Sequence, residues 1–199
     1  MSLLKSAWEI ALEKTESIEA DPEKIRRDAL INEGRRLAGT YLTELESEGK
    51  EIAAALKTAT EEDAPYIREG IASTVFLNIA LPQSQYYEDR LGRMSHIVAM
   101  MDGEQSDAVG LLAQVQQFMG KYLEARETLL DRAKQQYQPM FEQKREQMMQ
   151  KYGRSTNMSI EQDPEFIQFL QKHFNQLSNQ YQQVLDQAKD QLREFWNLA

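Results

Sequence analysis

Cysteine is absent from this 199-residue chain. That excludes a disulfide-dense fold, a thiol nucleophile and the cysteine-bearing zinc sites. Histidine occurs only at 96 and 173. The residues three positions before them are Arg93 and Leu170, so the Glu-x-x-His pairs of di-iron bundles are missing, as is His-Glu-x-x-His. No metal and no cofactor is expected. There are 5 prolines and 9 glycines, too few for a collagen-like or low-complexity chain. Neither a Gly-x-Ser-x-Gly elbow nor a phosphate-cradling Gly-x-x-x-x-Gly-Lys-Ser/Thr loop occurs. Long apolar runs are lacking as well. The most apolar window, 71–81, falls short of the roughly 20 residues a bilayer requires, contains Ser73, Thr74 and Asn78, and ends at Pro82. Lys5, Glu9, Glu13 and Glu16 interrupt the region where a signal peptide needs apolar residues, and Ser2 excludes myristoylation. A cytoplasmic location is therefore expected. Positive charge is scarce: 23 Lys+Arg against 32 Asp+Glu gives a net charge of -9. That balance argues against nucleic acid and anionic membranes as partners.

What is present is helical vocabulary. No segment alternates apolar and polar residues between turn signals, so no strand is expected and the fold class is all-α. The first helix is expected over 3–19, with Leu4, Trp8, Ala11, Thr15 and Ile18 spaced by three and four. Asp21-Pro22 offers an N-cap followed by proline at the first helical position. The second helix follows from Pro22 to about Lys57; Gly34, Gly39 and Gly49 weaken it, which leaves open whether it is continuous or breaks near Ser47-Glu48-Gly49. A third starts near Glu61-Glu62-Asp63, where acids suit the positive helix end, and runs to Leu81, where Pro82 stops it. The fourth covers 83–101 and ends at Asp102-Gly103. These four make a compact N-terminal half.

The remainder reads differently. Of the 21 glutamines, 18 follow residue 113. Through 106–151 the positions 108, 112, 115, 119, 122, 126, 129, 133, 137, 140, 144 and 148 form a stripe that only Arg126 and Lys144 interrupt. After Asp163-Pro164-Glu165, a second stripe comprises Phe166, Leu170, Phe174, Leu177, Tyr181, Val184, Ala188, Leu192 and Phe195. Both repeat about every 3.6 residues, above the 3.5 of a heptad seam, so the two helices should lie nearly straight against each other. A 45-residue helix is about 67 Å long, longer than the roughly 40–45 Å diameter of a compact globule of this size. The chain is therefore read as a single all-α domain in two parts. Residues 1–123 are the compact half, with 109–123 packed on it. Residues 124–199 are an extended antiparallel hairpin arm, 124–151 against 164–197, joined by 153–163. Pro139 either kinks the long helix or marks a break.

Candidate sites are few. Gly34 and Ala38 lie four apart and read as a close helix approach. Arg35, Arg36, Tyr86, Tyr87 and His96 are a candidate small-molecule or anion site between helices two, three and four, although Arg35 and Arg36 pair readily along their own helix and His96 reads as partly buried. Tyr137, Phe141, Met148, Phe166, Phe174 and Tyr181 are candidates for docking another chain on the weakly charged arm. No catalytic constellation is found. The leading expectation is a non-enzymatic interaction or scaffolding protein that binds a protein partner or itself; the alternative is the anion-binding module. Three stretches, 6–16 (Ser-Ala-Trp-Glu-Ile-Ala-Leu-Glu-Lys-Thr-Glu), Gly34-Arg35-Arg36-Leu37-Ala38-Gly39 and Gln162-Asp163-Pro164-Glu165-Phe166, resemble the pattern of an uncharacterised bacterial all-helical family. The resemblance implies a domain of unknown function and carries no catalytic residue.

Overall fold

A computed structural model describes residues 21–44, 46–83, 87–153 and 158–198. The helix expected over 3–19, Tyr86 and part of the 153–163 connection lie outside the described residues. All regular structure within them is helical: α1 (Pro22–Thr43), α2 (Lys50–Thr58), α3 (Ala64–Asn78), α4 (Tyr87–Asp102), α5 (Asp107–Tyr152), a 3-10 turn (Ile160–Gln162) and α6 (Pro164–Trp196). By internal packing the chain divides into two units, 1–74 and 75–199.

Local chemistry sets the ends. The Asp21 carboxylate accepts from the Glu23 N–H at 3.0 Å and Pro22 opens α1, as a capping aspartate followed by proline should. Gly49 sits at φ +73°, a left-handed turn that costs a glycine little. It separates α1 from α2 where the sequence offers the break. α3 stops at Asn78, earlier than Leu81. The Tyr87 hydroxyl takes over that end: it donates to the Asn78 carbonyl at 3.3 Å and accepts from the Ala80 N–H at 3.1 Å. Burial pushes this phenol up from its ordinary value, against the opposing pull of the Ala80 N–H.

Within 1–74, α1 and α3 meet backbone to backbone. A Cβ placed on Gly34 would stand 2.2 Å from the Ile67 carbonyl oxygen, and one on Gly70 would stand 2.1 Å from that of Ile31. The approach read from Gly34 and Ala38 is thus reciprocal, with Gly70 as the other half. Ile31, Leu37, Ala38, Ile52, Ile67 and Ile71 are buried in this unit. At its edge Arg26 reaches Asp63 at 2.8 Å, and Arg27 lies over the Tyr66 ring, 5.5 Å from its centroid.

Within 75–199, α4 packs on the first turns of α5. The two helices are in contact, and Leu91, Met94, Ile97 and Val98 on α4 and Ala108, Leu112, Val115 and Met119 on α5 are all buried. Pro139 lies inside α5, which continues unbroken to Tyr152. The proline only leaves the Gln135 carbonyl without its helical donor.

α6 runs antiparallel to α5. Tyr137 stacks on Phe166 (5.3 Å between centroids), the Tyr122 hydroxyl lies 2.9 Å from that of Ser178, and the Trp196 indole donates to Asp102 at 2.7 Å. The register differs from the expected 124–151 against 164–197. α6 begins opposite Tyr137, well short of the end of α5, and its second half lies beside α5 residues before Glu124. The connection is the cause. Met158 and Ile160 pack on the cluster of Ala133, Tyr137, Phe141 and Phe166, and Lys134 holds Glu161 at 2.9 Å. The linker therefore folds back along α5 before α6 starts. The stripes shift with it: Met140 is 57% and Val184 47% exposed, while their neighbours Phe141 and Leu185 are buried.

Candidate functional site

The two charged interruptions of the α5 stripe each acquire a specific environment. Lys144 meets Asp163 at the α5–α6 junction. Its ammonium lies 3.0 and 3.1 Å from the two Asp163 oxygens and 3.2 Å from Glu165. The Asp163 side chain is fully buried, with 0% exposure, and caps α6 by accepting the Glu165 N–H at 3.0 Å. Burial alone would raise this carboxyl. The Lys144 ammonium and the Glu165 N–H outweigh it, and the group sits below the ordinary carboxylate value. The hydrogen bond to Asp163 correspondingly raises Lys144. The Tyr137 phenol, desolvated and beside both carboxylates, is also raised. This junction has satisfied charges and a covered carboxylate, which is the chemistry of a structural clamp.

Arg126 has a different setting. Its guanidinium carbon lies 5.7 Å from the Tyr122 ring centroid and 5.4 Å from that of Phe174. One terminal nitrogen donates at 3.4 Å to the carbonyls of Pro82 and Gln83. It forms the floor of a cleft of about 480 Å³ whose walls include Ile167, Leu170 and Phe174, with Gln83, Gln171, Asn175 and Ser178 supplying polar groups. Ile167 is 48% exposed at its mouth. The arrangement pairs one cation with an apolar wall and neutral donors.

The residues of the expected anion site fall in two separate units, and Tyr86 lies outside the described residues. Arg35 and Arg36 are exposed on α1, in the unit 1–74, and Arg35 donates to Asn32 at 3.3 Å. Tyr87 and His96 belong to 75–199. His96 is exposed, not partly buried, and the Tyr87 hydroxyl is engaged at the end of α3. Of the docking candidates, Tyr137, Phe141 and Phe166 are buried against one another and serve the internal seam. Met148, Phe174 and Tyr181 are partly exposed. Tyr181 packs on Phe118 (4.8 Å) and Tyr122 (5.1 Å), and Phe174 lines the Arg126 cleft. The residues missed at the sequence level are Arg126 and Asp163. The signals for them were present, one as a break in an apolar stripe and the other as a cap. Among the described residues no group of three or more carboxylate or imidazole side chains is placed to hold a metal ion, and no helix is long and apolar enough to cross a membrane.

Residues 53–194 match DUF6657, a family of unknown function. The chain belongs to this family. The match takes in both the Arg126 cleft and the Lys144–Asp163 clamp. Of the three stretches that carried the resemblance, Gln162–Phe166 falls inside the DUF6657 range and the other two precede it. No curated protein and no solved structure matches the chain.

Proposed function

We propose that this DUF6657 member acts by binding through the outer face of α6, and that it binds a second copy of itself. One observation carries the reading. Residues 173–185 contain no Asp, Glu, Lys or Arg, although the chain carries a net charge of -9. Lys172 precedes this run and Asp186 follows it. Lys172, Gln176, Asn179, Gln183 and Asp186 recur at helical spacing on one side of α6, and all five are exposed. Val184, at 47% exposure, lies beside them.

This stripe is complementary to itself. A two-fold interface brings the same patch of each subunit together. An antiparallel pairing centred on Asn179 sets Lys172 of each copy opposite Asp186 of the other. Facing amides between them can exchange hydrogen bonds without charge repulsion, which the rest of an acidic surface cannot offer. The partner-facing groups are uncharged or oppositely charged, so the face tolerates its own copy. The pairing uses exposed polar contacts and a little apolar area, so a reversible micromolar-to-millimolar association is expected rather than an obligate dimer.

Sedimentation velocity across a concentration series tests this. The full chain should show a concentration-dependent shift from monomer to dimer. Lys172→Glu should shift it back toward monomer by placing like charges opposite each other, and Lys172→Glu with Asp186→Lys should restore it. A wild-type chain that stays monomeric at high concentration, or a double variant that associates no better than the single one, sinks the proposal.

A further inference from the structure

We infer that the cleft floored by Arg126 is a binding site for a small monocarboxylate with an aromatic or branched aliphatic body. This goes beyond the self-association of α6 and rests on different observations. The first is the state of the cation. Arg26, Arg27, Lys134, Lys144 and Arg193 each have a carboxylate within 4 Å. Arg126, on a chain with nine more acids than bases, has none among the described residues. Helix geometry explains the omission. Its sequence neighbours Glu124 and Glu127 are two and one positions away and point elsewhere, while the positions four before and four after are Tyr122 and Leu130. Its described polar contacts are two long bonds from a single nitrogen to the carbonyls of Pro82 and Gln83. A guanidinium carries five N–H donors in a planar fork, so most of that fork is left for a ligand.

The second observation is how the cation is held. The Tyr122 and Phe174 rings lie within 6 Å of the guanidinium carbon, and the Tyr122 hydroxyl is fixed by Ser178 at 2.9 Å. Ring contacts and a fixed tyrosine reduce the rotamer freedom that a ligand would otherwise have to freeze. The third is the wall chemistry. Ile167, Leu170 and Phe174 offer apolar surface next to the cation, and Gln83, Gln171 and Asn175 offer neutral amides at the rim. A volume of about 480 Å³ lies within the range of small-molecule pockets.

These features select a ligand class. One cation without a second positive group or a helix N-terminus favours a monoanion over a phosphate dianion. A carboxylate matches the planar fork in a bidentate pair. The apolar wall asks for a hydrophobic body one or two bonds from that carboxylate. Acetate offers the charge without the body, and an arylacetamide offers the body without the charge.

Heteronuclear NMR titration of the full chain with phenylacetate and with 4-methylpentanoate tests the site. Saturable shifts confined to residues near 122–126 and 167–178 are expected. Acetate and 2-phenylacetamide should each bind about tenfold more weakly or worse, since each forfeits one of the two contributions. Arg126→Gln should weaken phenylacetate about tenfold. Arg126 also touches its own fold, so Ile167→Asp is the second variant: it leaves Arg126 in place and puts a like charge at the exposed mouth, and it should weaken the same probe comparably. The inference is overturned if neither acid gives saturable shifts up to about 10 mM, if phenylacetamide binds as well as phenylacetate, or if both folded variants bind like the parent.

Discussion

Lys144 and Arg126 interrupt an apolar stripe on α5, and the partners of each explain why a charge is tolerated there. Lys144 faces a fully buried carboxylate, so the two members of the pair should respond unequally to removal. Lys144→Met leaves the buried Asp163 carboxylate without its cation, with the Glu165 N–H and the Tyr137 hydroxyl as donors, and should cost about 3 kcal/mol in urea unfolding at pH 7. Asp163→Asn keeps a capping side chain and leaves a lysine that is partly exposed and still near Glu165. It should cost about 1 kcal/mol. Equal losses would mean the carboxylate is not stranded. The pH dependence follows from the signs. The Asp163 carboxyl is lowered in the folded state, so its contribution is present above its ordinary value near 4 and fades as pH falls through the folded value. Lys144 is raised, so its contribution is present below its ordinary value near 10.4 and is lost as pH rises through the folded value. The deficit of Lys144→Met should accordingly shrink on the acid side, as the stranded carboxyl protonates. Glu161 gives a direct reading of the linker contact. Its hydrogen bond from Lys134 is the largest of the causes that hold the carboxyl down to about 2. A carbon-13 titration of Glu161 should show that midpoint, and Lys134→Met should move it toward 4.5, the ordinary value.

At the level of helices, the α1–α3 crossing makes the sharpest demand. Gly34→Ala and Gly70→Ala each push a methyl into a backbone carbonyl that cannot move alone. Each should destabilise by about 1–3 kcal/mol despite alanine's better helix propensity. Gly39→Ala is the control on the same helix: its Cβ meets nothing within 4 Å, so it should stabilise by about 0.5–1 kcal/mol. Thermal unfolding of the three variants separates crossing from propensity; a Gly34→Ala melt like that of Gly39→Ala would show that the helices do not approach as described. Gly34 was legible in the sequence and Gly70 was not, because a glycine in a helix reveals a gap without revealing what fills it. The same limit applied to the stripes. Positions 108 to 137 of α5 could be read from spacing, as could the caps Asp21 and Asp163. Past Tyr137, spacing could not choose between Met140 and Phe141, nor on α6 between Val184 and Leu185. That choice depends on where the linker turns back, and a three-residue 3-10 turn with one apolar residue, Ile160, is too short to give a periodic signal. The cleft was hidden for a related reason. Its Phe174 wall and its Pro82–Gln83 carbonyls come from segments distant in sequence, so only the unexplained Arg126 marked the place.

For the whole chain, the two facts with most consequence are a net charge of -9 and the absence of cysteine. The first restricts where two copies can meet. At physiological salt, screening extends over about 8 Å, so contact through an acidic face would be opposed at close range, and 173–185 is the long stretch of α6 free of that opposition. The second makes the geometry of such a meeting measurable, because any cysteine introduced is the only one present. Asn179 lies at the centre of the proposed antiparallel pairing, so its two copies face each other across the two-fold axis. Asn179→Cys should form an intermolecular disulfide under mild oxidation, since facing helices bring their contact residues within the reach of such a bond. In the same arrangement the two copies of residue 186 are displaced in opposite directions from the axis by seven residues each, about 21 Å apart in total. Asp186→Cys should therefore remain a thiol, and mixing Lys172→Cys with Asp186→Cys chains should yield the heterodimer. A parallel pairing would cross-link 179 and 186 alike, and an encounter without register would cross-link neither above the level of an exposed cysteine placed on α1. Gel analysis of the oxidised chains distinguishes the three, and only cross-linking at 179 without cross-linking at 186 agrees with a self-complementary α6.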